Sequence, residues 1–202
     1  MSQIALPLSV TGTQGRIVVG DANAGVVESL QHPQSWPYRT AILAGPPRSG
    51  KTLLARWFGA QPQCEAIDDA DRMDETALFH RWNAAQENGT ALLLTVRDVG
   101  WEVALPDLRS RLGAAMHLAI GSMDDAFVGD LIDAHAEQRG LALGDGAKAY
   151  LVPRCERGFA DIEALVAAID RLSLERKQPA TLSIWRDALA DLTGRGVQTP
   201  LL

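Results

Sequence analysis

The stretch Gly45-Pro46-Pro47-Arg48-Ser49-Gly50-Lys51-Thr52 fits Gly-x-x-x-x-Gly-Lys-[Ser/Thr], and its reading decides the fold. Upstream, Thr40-Ala41-Ile42-Leu43-Ala44 is short and apolar, as a buried strand should be. Downstream, Leu53-Leu54-Ala55-Arg56-Trp57-Phe58 has no breaker before Gly59 and reads as a helix. A strand feeding a glycine-bounded loop that opens a helix is the context of a phosphate site. Backbone N–H groups of such a loop wrap a polyphosphate, and the helix N-terminus adds its partial positive charge. Gly45 and Gly50 permit positive φ and close backbone approach, and Pro46, Pro47, Arg48 and Ser49 complete the loop between them. Lys51 is expected to reach the β- and γ-phosphates, and the Thr52 hydroxyl to ligate Mg²⁺.

After the helix, Ala66-Ile67 leads into Asp68-Asp69, an apolar rise ending in two carboxylates. In phosphate-loop hydrolases an acid at the end of a neighbouring strand faces the Mg²⁺, and an acid beside it orients the attacking water. That gives Asp68 to the metal and Asp69 to catalysis. The competing reading is an N-cap or Asx-turn before the next helix, a role that Asp68, Asp69 or Asp71 would fill equally well.

Further along, Asp74 to Asn88 reads as a helix capped by Asp74, with Leu78, Phe79, Trp82 and Ala85 on its apolar face and Asn88-Gly89 at its end. Thr90 to Val96 is a fully buried strand that ends in Arg97-Asp98. Residues 105–113 precede a last apolar strand around Met116 to Ile120. Before the loop, Ile17-Val18-Val19 reads as a brief extended piece, and Asp21 or Asn23 as the cap of a helix carrying Val26, Val27 and Leu30. From Asp124 onward the pattern is helical: Ala126 to Gly140, about Gly144 to Arg154, Ala160 to Lys177 and Ser183 to Leu192. These pieces describe an α/β phosphate-loop domain, a parallel sheet flanked by helices, followed by a small all-α lid. The expected divisions are a tail over 1–15, the nucleotide-binding domain over 16–123 and the lid over 124–202.

The 202 residues, 47% hydrophobic, suffice for a real core. A net charge of −6 argues against a chain whose main work is gripping nucleic-acid phosphates. No apolar run approaches the ~18 residues a membrane span requires. Residues 1–10 lack the basic start and apolar core of a signal peptide. Cys64 and Cys155 have no ligand spacing and read as plain thiols, which fits a reducing cytoplasm.

With these pieces in order, the sequence resembles the AAA+ ATPases of the bacterial replication initiator DnaA family, and within it the short Hda type. Val18-Val19-Gly20-Asp21-Ala22-Asn23 is similar to the segment that flanks the adenine. Phe79-His80-Arg81-Trp82-Asn83, Glu87-Asn88-Gly89 and Leu92-Leu93-Leu94-Thr95 are similar to the run from Walker B to sensor 1. Leu108-Arg109-Ser110-Arg111-Leu112-Gly113 looks like the box that holds the arginine finger, which the resemblance assigns to Arg111. It further implies bound ADP or ATP with Mg²⁺ and a sensor 1 contact from Asp98.

The resemblance favours the Hda type on two grounds: the chain leaves no room for the initiator's DNA-binding domain, and Gln3-Ile4-Ala5-Leu6-Pro7-Leu8 is similar to the motif that docks in the sliding clamp. Leu6 and Leu8 would fill an apolar pocket and Gln3 would hydrogen-bond at its rim. The implied partners are the DNA polymerase sliding clamp and DnaA, with a homodimer or higher oligomer compatible, no membrane, and the cytoplasm as location. The implied function is a regulator that promotes hydrolysis of DnaA-bound ATP, itself at most a weak ATPase. Two departures stand out: Glu163 occupies the sensor 2 position, with Arg154 or Arg157 as substitutes, and Arg97-Asp98 inverts the sensor 1 order. The rival readings are a small-molecule or nucleotide kinase and a non-hydrolysing AAA+ adaptor.

Overall fold

The computed structural model describes residues 17–97 and 100–195. The chain divides into two compact units, one through Ser122 and one from Met123.

The first unit is built on four parallel strands, β1 (Thr40–Ala44), β2 (Cys64–Ile67), β3 (Ala91–Val96) and β4 (Met116–Ala119), in the order β2-β3-β1-β4. The two central strands, β1 and β3, are buried along their whole length, which is why their sequences read as unbroken apolar runs. The edge strands β2 and β4 are only half-buried or alternate, as edges do. Register is set by Ala44 beside Val96 and Ala119, and by Ile67 beside Leu94. The residues that follow these strands, Gly45, Asp68 and Arg97, therefore emerge along one edge of the sheet, the edge at which ligands of parallel α/β sheets bind.

One sheet face packs Ile42, Leu92, Leu94 and Val96 against Leu78, Trp82 and Ala85 of α3 (Glu75–Glu87) and Leu108 and Leu112 of α4 (Pro106–Gly113). Elsewhere in this unit lie α1 (Ala24–Gln31) and α2 (Lys51–Gly59), which bury Val26, Val27 and Leu30 and Leu54, Ala55 and Phe58 respectively. Trp36 stacks on Phe58 at 5.2 Å, and its indole N–H donates to the Ser29 hydroxyl at 2.9 Å. Local chemistry fixes the helix ends. Asp74 accepts from the Ala77 amide at 2.9 Å to start α3, and Gly89, at φ +64°, carries the chain out of it. The carboxylate of Glu75 accepts from the amides of Ala104 and Leu105, at 2.8 and 2.6 Å, tying the start of α3 to the approach to α4.

The second unit is wholly helical: α5 (Asp125–Arg139), α6 (Ala147–Leu151), α7 (Phe159–Arg176) and α8 (Leu182–Arg195). Asp124 caps α5 through the Phe127 amide at 2.7 Å, and Gly140 ends it at φ +64°. Phe127 and Phe159 meet edge to face at 6.0 Å within a core that includes Ile132, Leu151, Ile162, Val166 and Ile184.

Residues 17–19 carry no regular secondary structure. Two local details differ from the expectation. Asn23 stands just before α1 but does not cap it, because its side chain is spent on Gly20 N–H at 3.0 Å and the Val18 carbonyl at 2.8 Å. The helix expected over 144–154 is confined to Ala147–Leu151: Gly146 at φ +81° delays its start, and Val152, still helical in its dihedrals, is its C-cap.

Candidate phosphate-binding site

The loop after β1 is shaped by positions that tolerate no ordinary side chain. A Cβ on Gly45 would stand 3.0 Å from the Ile120 Cβ and 3.1 Å from the Ser49 hydroxyl. Gly50 lies at φ +88°, a left-handed conformation natural to glycine, and Arg48 at φ +64° shares that region at a steric cost. Gly50 then delivers the chain to α2 with no side-chain cap and no acidic residue in the first turn. The leading N–H groups of α2 have no acceptor within the helix, and no local carboxylate competes for them, so an anion is their natural partner.

Lys51 is 9% exposed and donates to the carbonyls of Gly45 at 2.7 Å and Pro46 at 2.9 Å. Burial pushes its pKa below the ordinary lysine value, and the carboxylates of Asp69, Asp68 and Asp71 oppose that shift. The ammonium is thus folded back onto the loop that it would leave to meet a phosphate. The buried Ser49 hydroxyl has no hydrogen-bond partner among the described residues, and so fits a loop that presents polar groups to a phosphate.

Next to the loop, Thr52 Oγ1 donates to Asp68 Oδ2 at 2.8 Å, and Thr95 Oγ1 donates to Asp68 Oδ1 at 2.5 Å. Thr95 Oγ1 also accepts from the Asp69 amide at 3.0 Å. The two oxygens expected to serve Mg²⁺ are therefore side by side, and the orientation of Asp68 is fixed from behind by a buried threonine. Mg²⁺ in such sites takes one or two protein oxygens and completes its shell with water and phosphate. This donor set fits it, although the described residues hold no cluster of three or more His, Cys, Asp or Glu able to bind a metal alone.

Asp69 follows Asp68 at the end of β2. Its backbone is left-handed at φ +49°, and its carboxylate, 45% exposed, pairs with Arg72 at 3.6 Å. Asp71, in the short turn that follows, is the buried acid of the group and receives Arg97 Nε at 2.8 Å.

Arg111, on α4, is not drawn to the phosphate loop of its own chain. Its guanidinium lies 4.7 Å from the Phe79 ring centre and 4.5 Å from that of Trp82, and it donates to Asn83 Oδ1 at 2.7 Å. Arg109, two residues earlier, is used up on the carbonyls of Val103 and Ala104. In the helical unit Glu163 is half-buried on α7; Arg154 lies over the Tyr150 ring at 4.3 Å, and Arg157 binds the Met123 carbonyl and Asp125. Asp98 and the tail residues Gln3, Leu6 and Leu8 lie outside the described residues.

Sequence reasoning missed Thr95 as the brace of Asp68, the Asp71–Arg97 pair, and Phe79, Trp82 and Asn83 as the seat of Arg111. Thr95 had a signal: it is the polar residue that interrupts Leu92-Leu93-Leu94, and such a residue at the carboxyl end of a buried strand is seldom idle.

The fold superposes on domain III of the Thermotoga maritima replication initiation protein DnaA with a TM-score of 0.71, at 14% identity, over 87% of this chain and 94% of that one. Residues 125–189 match the family model described as the Hda lid domain. Its helical unit is thus similar to the Hda lid domain, and its fold to that of DnaA domain III. AMPPCP-bound DnaA from Aquifex aeolicus is similar at a TM-score of 0.61 and 16% identity, over 80% of this chain and 66% of that one. The fold is not confined to DnaA: the Thermotoga maritima RuvB Holliday junction branch migration motor gives a TM-score of 0.63 and 17% identity, over 86% of this chain and 70% of that one. A sequence search of curated proteins gives no match. The lid match lies wholly within the helical unit, and the phosphate loop, Thr52–Asp68 and Arg111 all lie in the α/β unit. Among the described residues no helix is long and apolar enough to cross a membrane.

Proposed function

We propose that this chain is an adenine-nucleotide-binding AAA+ regulator of replication initiation that docks on the sliding clamp and promotes hydrolysis of ATP held by DnaA. The observation that carries the reading is the placement of its two phosphate-seeking cations. Lys51 is buried at the loop, while Arg111 is stacked between Phe79 and Trp82, with Asn83 rather than a phosphate of its own site as partner. An arginine pre-positioned away from its own loop suits delivery in trans, where it neutralises charge developing on a transferring phosphoryl group. Such delivery is worth on the order of 10³ or more in rate.

In the chain's own site, the loop from Gly45 to Thr52 would hold the phosphates of ADP or ATP, and Thr52 and Asp68 would hold Mg²⁺. The metal, when bound, would supply charge neutralisation for the phosphates. Lys51 would exchange the two loop carbonyls for phosphate oxygens, and Thr95 would keep Asp68 aimed. The exposed, Arg72-paired carboxylate of Asp69 supports a site that binds more readily than it turns over. Nucleotide here acts as a conformational ligand, and the hydrolysis that matters is the partner's. Gln3, Leu6 and Leu8 are the clamp-docking residues in this proposal, and the AMPPCP bound by the Aquifex aeolicus relative supports the choice of nucleotide.

The test is hydrolysis of DnaA-bound ATP in the presence of clamp loaded on DNA. The wild-type chain should accelerate it, and Arg111→Ala should lose most of the acceleration while still binding the clamp. Equal acceleration by the variant would remove Arg111 from the role, and no acceleration by the wild type would remove the function.

A further inference from the structure

The two residues before β1 stand in a backbone conformation that ordinary side chains avoid. Tyr38 lies at φ +51° and ψ +24°, and Arg39 follows at φ +47°, both in the left-handed region where a residue with a Cβ is strained. The turn is held there by contacts from outside it. Thr40 Oγ1 and Gln86 Nε2 both donate to the Tyr38 carbonyl, at 2.9 and 2.8 Å, and Arg39 Nη1 donates to the Gly89 carbonyl at 2.6 Å. Glycine or asparagine would turn the chain into β1 at less steric cost, so a tyrosine at this position is accounted for by its side chain and not by the turn.

That side chain is left in solvent. Tyr38 is 59% exposed, and among the described residues the other two large hydrophobic side chains so exposed, Leu174 and Leu182, lie in the helical unit. The Tyr38 ring stands 6.4 Å from the ring of Trp82, which also carries the Arg111 guanidinium at 4.5 Å. Gln86, which holds the Tyr38 carbonyl, and Asn83, which holds Arg111, are three residues apart on α3 and so share one side of it. Tyr38 and Arg111 therefore belong to one face of the α/β unit, joined through Trp82. The face is remote from the phosphate loop, because Tyr38 precedes the amino end of β1 and the loop leaves its carboxyl end, about 16 Å further along the strand. An exposed tyrosine, with an apolar body, a polar tip and few rotatable bonds, is the kind of residue that anchors a protein interface.

We propose that Tyr38 is an anchoring contact for the protein whose bound nucleotide Arg111 addresses. This rests on the in-trans reading of Arg111. The two residues divide the work: Arg111 reaches the reacting phosphate, and Tyr38 docks the partner on the same face so that the guanidinium arrives in register. The occupant of the face is a folded protein that carries a nucleoside triphosphate and presents an apolar recess to the ring. Tyr38 is thus a positioning residue, and its loss is felt in how much of the chain is needed, not in the rate at saturation.

The experiment measures hydrolysis of DnaA-bound ATP against the concentration of the full chain, with clamp loaded on DNA, for wild type, Tyr38→Asn, Tyr38→Phe and Arg111→Ala, together with the Tm of each. Asparagine accepts the left-handed turn, so Tyr38→Asn should melt close to the wild type or above it. It should raise the concentration for half-maximal acceleration about tenfold or more and keep the maximal rate within about twofold. Tyr38→Phe keeps the ring and should stay within about threefold of wild type in that concentration, whereas Arg111→Ala should lose maximal rate. An unchanged half-maximal concentration for Tyr38→Asn, or a loss confined to the maximal rate, would overturn the proposal and leave the reading of Arg111 standing. A Tm lowered in step with the loss of activity would overturn it as well, since that is the mark of a ring that only shields Trp82. No acceleration by the wild type would overturn both.

Discussion

The seat of Arg111 gives a prediction whose size can be worked from the geometry. The guanidinium makes two ring contacts, at 4.7 and 4.5 Å, and a hydrogen bond of 2.7 Å to Asn83, all at a half-buried position. Each ring contact is worth about 0.5–1 kcal/mol at such a site. The charged hydrogen bond, discounted for partial exposure, is worth about 1 kcal/mol. Arg111→Ala should therefore cost about 2 kcal/mol, a fall in Tm of about 4–8 °C for a chain of this size. Asn83→Ala should cost about 1 kcal/mol, and because the two changes remove one shared bond, the double variant should cost about 1 kcal/mol less than their sum. Urea unfolding of the four proteins measures this cycle. Additivity within about 0.3 kcal/mol would mean that Arg111 is not held by Asn83, and the picture of a finger stored in position would fail.

Further expectations follow from the same contacts. Thr95→Val keeps the shape but strips the partner from Asp68 Oδ1 and the Asp69 amide; it should cost about 1–3 kcal/mol in urea unfolding, and a neutral change would contradict the brace. Glu75→Ala frees the amides of Ala104 and Leu105 and should cost about 1–2 kcal/mol, whereas Glu75→Gln, which keeps one acceptor oxygen, should cost less; the same unfolding curves decide. The pH dependence concerns Lys51. With its folded pKa below the unfolded value, the unfolded chain binds more protons in the window just below pH 10.5, so the nucleotide-free protein should gain stability as pH rises through that window. Lys51→Met should lack that gain, and parallel Tm profiles for the two proteins would show that burial does not act on the ammonium.

What the sequence disclosed were features settled within a few residues. An apolar run, a glycine pair and a lysine define the loop, and Asp74 and Gly89 bound α3 by their own chemistry. The central strands were legible because burial on both faces leaves no polar interruption, and Thr95 marks where that condition ends. The rest depends on contacts made across the fold. Arg111 meets Asn83 across 28 residues and Arg97 meets Asp71 across 26, and neither pairing has a local pattern. At Asp69 two acids after a strand are a local pattern, whereas the left-handed turn there and the pairing with Arg72 are not legible in it. In α6 the left-handed Gly146 sets the start, a backbone constraint that apolar spacing does not show.

The central claim is that residues 45–52 form a cradle for the phosphates of an adenine nucleotide. It is tested most directly by calorimetry of the wild-type chain and Lys51→Ala with Mg²⁺ and ADP or ATP. The account predicts one saturable site on the wild type and a loss of about tenfold or more in affinity on removal of the ammonium. No binding by the wild type, or the same Kd for both proteins, would contradict it.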